Sequence, residues 1–416
     1  MLNRFSRLFY GWRMLAVGCA VRVLGGGFHL YGFTVFFLPI SQELGLTRAA
    51  TSLVFSLARA EGAIEGPVAG YMLDRFGPRP VILTAIILSG IGYALLSLVD
   101  GYAAFVVVYL GVISLAFATG FMHSPMAIAN TWFIRRRAFA MTLISASIGV
   151  GGTLLTPLLA VAVHTWGWRR GALLAGIALL MLGIPLALLV RRSPESMGLL
   201  PDGDSPSPGT SGGDAQVKEV NFTAGQAMRT AAFWMLVAAT LARATGFGTM
   251  MVHFVPVLVW KGLSEQRAAV VLAAFALLSL PAHLLLGWLA DLVNKPRLMG
   301  LSMLIGALSL IALIYGGPGE GSLWVFAILF TTVEAIFPVS WATVGDYFGR
   351  KHFATIRGMM SFFYMWGGVA GPVVAGAIFD RTQSYEAMML GMIALFLVAA
   401  ILYLFLPRPA PENARL

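Results

Sequence analysis

A few ionisable side chains lie in the middle of long apolar stretches, where each is expensive to hold and marks a candidate site. Arg22 and Arg243 stand about ten residues beyond Trp12 and Trp234, two tryptophans that repeat at an offset of 222 residues. At about 1.5 Å per helical residue both arginines fall roughly 15 Å in, near a bilayer midplane. Two guanidiniums facing one cavity would grip a carboxylate, sulfonate or phosphate through paired N–H donors. The same arginines would be structural if each were tied to Glu61, Glu65 or Glu334, or snorkelled to the interface. The sequence leaves both readings open. His29 follows Arg22 by seven residues and shares its helix face, as a proton-accepting cavity group or as a satisfied core histidine. Glu61 and Glu65 are four apart, so they share a face, and Glu334 is a lone acid among apolar neighbours. All three are proton-coupling candidates. For the first two the alternative is a fixed pairing with Arg59 or Arg243.

The elements that must hold these groups are membrane helices. Of 416 residues 58% are apolar and only 11% are charged, against roughly 25% charged in a soluble domain. The mean hydropathy is +0.83. This excludes a soluble enzyme and a disordered chain. The apolar runs have the length needed to cross about 30 Å of hydrocarbon, and barrel-like alternation is missing. Twelve spans are expected, at about 11–39, 49–73, 80–99, 103–129, 139–163, 170–190, 231–260, 268–290, 297–315, 322–344, 358–379 and 387–406. Beside Glu61 and Glu65 runs a small-residue stripe, Ala58, Gly62, Gly66 and Gly70, suited to close helix packing. The Gly-, Pro- and Ser-rich segment 192–227 reads as a cytoplasmic linker between six-span halves, 1–191 and 228–416. Most of the 28 Lys and Arg residues fall on one side, which places both termini in the cytoplasm and makes the net charge of +10 a topology signal. Nucleic acid is not an expected partner. Cys19 is the only cysteine, the histidines lie on different spans, and no phosphate-binding glycine loop is present. Neither a metal nor a cofactor is expected, and transport would draw on a gradient rather than on ATP.

The halves also repeat. WFIRRRAFAM (132–141) aligns with YFGRKHFATI (347–356) at an offset of 215, which sets Pro157 on Pro372 and Gly152 on Gly367. GYMLDRFGPRP (70–80) aligns with GWLADLVNKPR (287–297) at 217, pairing Asp74 with Asp291. Parallel six-span repeats carry a substrate site near the midplane.

With Gly70, Asp74, Arg75, Gly77 and Arg79 the loop after the second span resembles the G-x-L-A-D-R-x-G-R signature of the major facilitator superfamily, although Pro78 replaces a usual basic residue. Phe9 to Arg13, and Trp132, Phe133, Arg135, Arg136, Arg137, Ala138 and Ala140, resemble motifs of its monocarboxylate porter and oxalate–formate antiporter-like branch. The resemblance implies an all-α protein of two pseudo-symmetric six-helix bundles. It implies alternating access, with a cavity formed mainly by the first, fourth, seventh and tenth spans. The substrate would be a small organic anion moved with a proton or against a counter-substrate. The protein would be a monomer of the plasma or bacterial inner membrane, not an enzyme. Asp74 with Arg75 and Arg79, Asp291, and the Arg135 to Arg137 run would be conformational-switch elements. The branch's usual cations are replaced by Tyr31 in the first span and His283 in the eighth, and its eleventh-span lysine has no counterpart. Tyr31, His283 and Tyr364 join Arg22, Arg243 and His29 as substrate-binding candidates. Efflux of apolar or cationic compounds, with the three glutamates setting selectivity, is the competing transport reading. A transport-dead sensor is the alternative of another class.

Overall fold

The computed structural model describes residues 9–46, 48–204, 221–316 and 320–409. It is helical throughout, with no strand among the described residues. Among the described residues twelve long rods follow one another: α1 (Tyr10–Glu43), α2 (Arg48–Phe76), α3 (Pro78–Leu96), α4 (Tyr102–Trp132), α5 (Arg137–Trp166), α6 (Trp168–Leu189), α7 (Ala231–Trp260), α8 (Glu265–Leu292), α9 (Lys295–Tyr315), α10 (Gly321–Phe348), α11 (Phe353–Thr382) and α12 (Glu386–Leu404). Eleven of these are long and apolar enough to cross a membrane by length and composition. The exception to the expected twelve is α2, whose middle carries Arg59, Glu61 and Glu65. At 29 residues, or about 43 Å, it is nonetheless long enough to span.

The rods start where local chemistry dictates. Thr230, Ser264 and Asn294 cap α7, α8 and α9 by accepting the amides of Phe233, Arg267 and Arg297. Gly77 joins α2 to α3 at φ +84°, a left-handed conformation that glycine adopts without strain, and Pro78 then opens α3.

Two compact units result, Met1–Asn221 with Gly349–Met359, and Phe222–Phe348 with Met360–Leu416. The start of α11 thus belongs with the first unit, although the sequence places it in the second half. The first residues of the expected 192–227 linker are also docked there: Asp202 accepts the amides of Ile134 and Arg135. The linker's 205–220 stretch lies outside the described residues.

Within the first unit small residues bring backbones together. A Cβ on Gly151 would stand 2.0 Å from the Val23 carbonyl oxygen, and one on Gly26 2.1 Å from that of Ile148, so α1 and α5 touch along their main chains. The stripe on α2 does the same to the start of α11, since a Cβ on Gly70 would meet the Ala354 oxygen at 2.1 Å and one on Gly358 the Gly66 oxygen at 2.0 Å. Gly70→Ala should therefore displace a helix backbone, lowering stability by about 2 to 3 kcal/mol. We expect a lower melting temperature in detergent and transport reduced about tenfold; an unshifted melting curve would contradict the close crossing. In the second unit Gly367 and Gly371 of α11 sit against the Thr245 and Thr249 hydroxyls of α7.

Candidate functional site

In the first unit the organising element is a stretch of α4. After Tyr102–Val108 the rod widens into π-helical turns at Tyr109–Ser114 and Phe117–His123 before Ser124–Trp132 resumes the α-helix. Such turns mark functional sites in many helices. Pro125 has no N–H and cannot serve the Phe121 carbonyl four residues before it. The Nη1 of Arg22 donates to that oxygen at 3.0 Å and also reaches the Met122 sulfur. His29, in a π-helical stretch of α1 (Gly25–Leu30), stacks on Phe117 at 4.1 Å between centroids, and Tyr109 and Phe33 flank it. Arg22 and His29 thus face the same segment of α4. Glu65 accepts a hydrogen bond from the Thr119 hydroxyl of that segment, and Glu61 lies near Ser114 one turn earlier. The partners that Glu65 and Glu61 show among the described residues are these hydroxyls of α4. The Arg59 side chain lies outside the described residues. Tyr31 is exposed, and its ring covers Gly152 of α5.

The second unit repeats the device. There α10 breaks at Ile336, between Glu320–Ala335 and Phe337–Phe348, and Pro338 follows at once. The Nη1 of buried Arg243 donates to the Val333 carbonyl at 3.0 Å. Its guanidinium lies 4.2 Å from the Phe337 ring centroid and 5.7 Å from that of Phe247, a cation–π cradle. A charged hydrogen bond of this kind is worth about 1.5 to 3 kcal/mol. So the repeat-related arginines each hold a carbonyl just upstream of a proline-broken turn in the fourth helix of their unit. Neither the prolines nor those carbonyls stand out in the sequence.

Arg243 keeps a second capability. Its buried Nε has no hydrogen-bond partner among the described residues. The edge formed by Nε and Nη2 is the one that binds a carboxylate through two parallel N–H···O bonds. Glu334 and His283 are close enough for their charges to act on Arg243 or to feel it. His283 is buried and holds the Ser279 carbonyl through Nδ1 at 2.8 Å. Tyr364 packs on Phe337 and Trp341, the first of which carries the Arg243 guanidinium.

Among the expected switch residues, Asp74 reaches the start of α11. Its carboxylate accepts the amides of Ala354 (3.2 Å) and Thr355 (2.7 Å) and the Thr355 hydroxyl (2.6 Å), capping α11 from another helix. The reason is the close α2–α11 crossing, which brings the open amides of a helix N-terminus to Asp74 while Arg75 turns to the Tyr71 hydroxyl and Arg79 to the exterior. Arg135 pairs with Asp202 and Asp204, Arg136 lies over Trp12, and buried Arg137 holds the Phe133 carbonyl. Asp291 stands 4.0 Å from Lys295, which binds Asp346 at 2.7 Å. Among the described residues no group of three or more His, Cys, Asp or Glu side chains could hold a metal.

Comparison with known proteins agrees with this architecture. A family model described as Major Facilitator Superfamily matches residues 19–333 and 261–416. The human protein named monocarboxylate transporter 11 is 27% identical over 97% of this chain and 84% of its own length. The oxalate:formate antiporter of Oxalobacter formigenes is 24% identical over 91% of this chain and 87% of its own length. In structure the chain matches the transporter FucP, solved in an outward conformation, with a TM-score of 0.71 at 14% identity, covering 95% of this chain and 99% of that one.

Proposed function

The chain belongs to the Major Facilitator Superfamily, and we propose that it is a secondary active transporter of small organic anions, monocarboxylates or close relatives. The observation that carries this reading is Arg243. It is a buried guanidinium tied down by one nitrogen at a helix break while its buried Nε, half of the carboxylate-binding edge, has no hydrogen-bond partner among the described residues. A buried charged donor of this kind is satisfied by a carboxylate, and the gain is greatest where water is excluded. Arg22 occupies the matching place in the first unit. His283 and Tyr364 stand beside the Arg243 cradle as further substrate contacts, and in the first unit His29, which faces the same stretch of α4 as Arg22, and the exposed Tyr31 are the corresponding candidates. The relatives named for monocarboxylates and for oxalate and formate support the same substrate class.

Transport proceeds by alternating access, driven by a proton or by exchange, with Glu61, Glu65 and Glu334 as the coupling carboxyls. The protein works as a monomer in the plasma or inner membrane with both termini cytoplasmic. The test is uptake by liposomes containing the purified protein, offered labelled acetate, lactate and oxalate, each with an inward proton gradient or with internal unlabelled anion. Accumulation of at least one carboxylate under one of these drives is expected. Uptake confined to cationic or neutral compounds would contradict the proposal.

A further inference from the structure

Arg357 sits five residues into α11, in the segment Gly349–Met359 that belongs to the first unit. By its position next to Arg350 and Lys351 it reads in the sequence as one more cytoplasmic loop cation. The structure buries it, with only 4% of its surface exposed, beside two other buried basic side chains, Arg22 (6%) and His123 (6%). The three come from α11, α1 and α4 and converge on the end of the π-helical stretch Phe117–His123. There Arg22 holds the Phe121 carbonyl and Arg357 Nη1 lies 2.9 Å from His123 Nδ1.

The direction of that last contact fixes the chemistry. Arginine has no acceptor, so Nδ1 of His123 must accept, and the imidazole is neutral with its proton on Nε2. Both guanidinium charges bear on this ring. Arg22, Arg357 and the Nε2–H of His123 therefore form a donor-only set, the signature of a site for an oxyanion rather than for a cation or a neutral sugar. Glu65 of α2 accepts from the Thr119 hydroxyl through one oxygen, while its other oxygen is buried with no hydrogen-bond partner among the described residues.

We propose that Arg357 and His123, together with Arg22, form an anion-binding subsite within the first unit that takes a carboxylate group. The proposal rests on the organic-anion reading above and adds to it two residues and a location. In the ligand-bound state a carboxylate accepts from Arg357 and from the Nε2–H of His123.

The experiment uses the full-length protein in detergent with sodium acetate and sodium oxalate as probes and choline chloride at equal ionic strength as the control. Affinity is read from tryptophan fluorescence, and size-exclusion chromatography reports folding. Arg357→Gln should weaken binding of the better probe about 10- to 100-fold, the loss of one charge-assisted contact. Arg357→Lys should fall between the two, and His123→Gln should lose about tenfold or less. Unchanged affinity in a monodisperse Arg357→Gln protein would overturn the subsite while leaving the organic-anion reading intact. Should Arg357→Gln fail to fold, unchanged affinity in both Arg357→Lys and His123→Gln would overturn it equally. Absence of any carboxylate binding by the unaltered protein would overturn the organic-anion reading and the subsite together.

Discussion

Exchange of Arg243 for alanine should lower carboxylate uptake at least about a hundredfold and also loosen the second unit. The side chain carries two loads. Its Nη1 holds the Val333 carbonyl at the α10 break, and its charge rests on Phe337. Losing a charged hydrogen bond is worth about 1.5 to 3 kcal/mol and a desolvated cation–π contact about 2, so destabilisation of about 3.5 to 5 kcal/mol is expected. Arg243→Lys separates the loads. An ammonium still answers the carbonyl and the ring, but it has no planar edge for two parallel bonds to a carboxylate. The lysine variant should melt close to the unaltered protein and still transport at least tenfold more slowly. Near-normal uptake by Arg243→Lys would reduce Arg243 to a fastener of α10.

Asp74→Asn should be nearly as severe, for a different reason. The carboxylate of Asp74 takes three hydrogen bonds from the first turn of α11, where the open amides and the helix dipole favour negative charge. An asparagine has one acceptor oxygen, and its amide must face another N–H. We expect a loss of about 2 to 4 kcal/mol, felt where α11 begins. Hydrogen exchange is the fitting readout, because opening of that turn exposes particular amides. The protection of Ala354 and Thr355 should fall at least about thirtyfold, with transport reduced alongside. Unchanged exchange at these two residues would show that the cap contributes little.

The helical plan is legible in the sequence because a bilayer demands long apolar runs. The tie between α2 and α11 is half legible. The glycine stripe and Asp74 stand out, but their partners Ala354, Thr355 and Gly358 lie far along the chain, 281 residues away for Asp74 and Thr355, and carry no pattern of their own. Arg22 and Arg243 are marked by their apolar surroundings and by the repeat. What they hold is hidden, since a carbonyl released by Pro125, or one beside the break at Pro338, looks like any other in a sequence. Arg357 is the instructive miss. The apolar run begins at 358, but the helix begins at Phe353. Five residues of earlier helix turn a loop cation into a buried one. The hydroxyl partners of Glu61 and Glu65 are hidden in the same way, because π-helical turns shift which residues of α4 face α2.

Carboxylate binding at buried arginine is tested most directly by thermal stabilisation of the detergent-purified protein by lactate and oxalate. A ligand at one hundred times its dissociation constant adds about 2.7 kcal/mol of stability. The predicted result is a rise in melting temperature with at least one of these anions that is strongly reduced in Arg243→Lys. Stabilisation by cationic or neutral compounds alone, or an equal rise in Arg243→Lys, would contradict it.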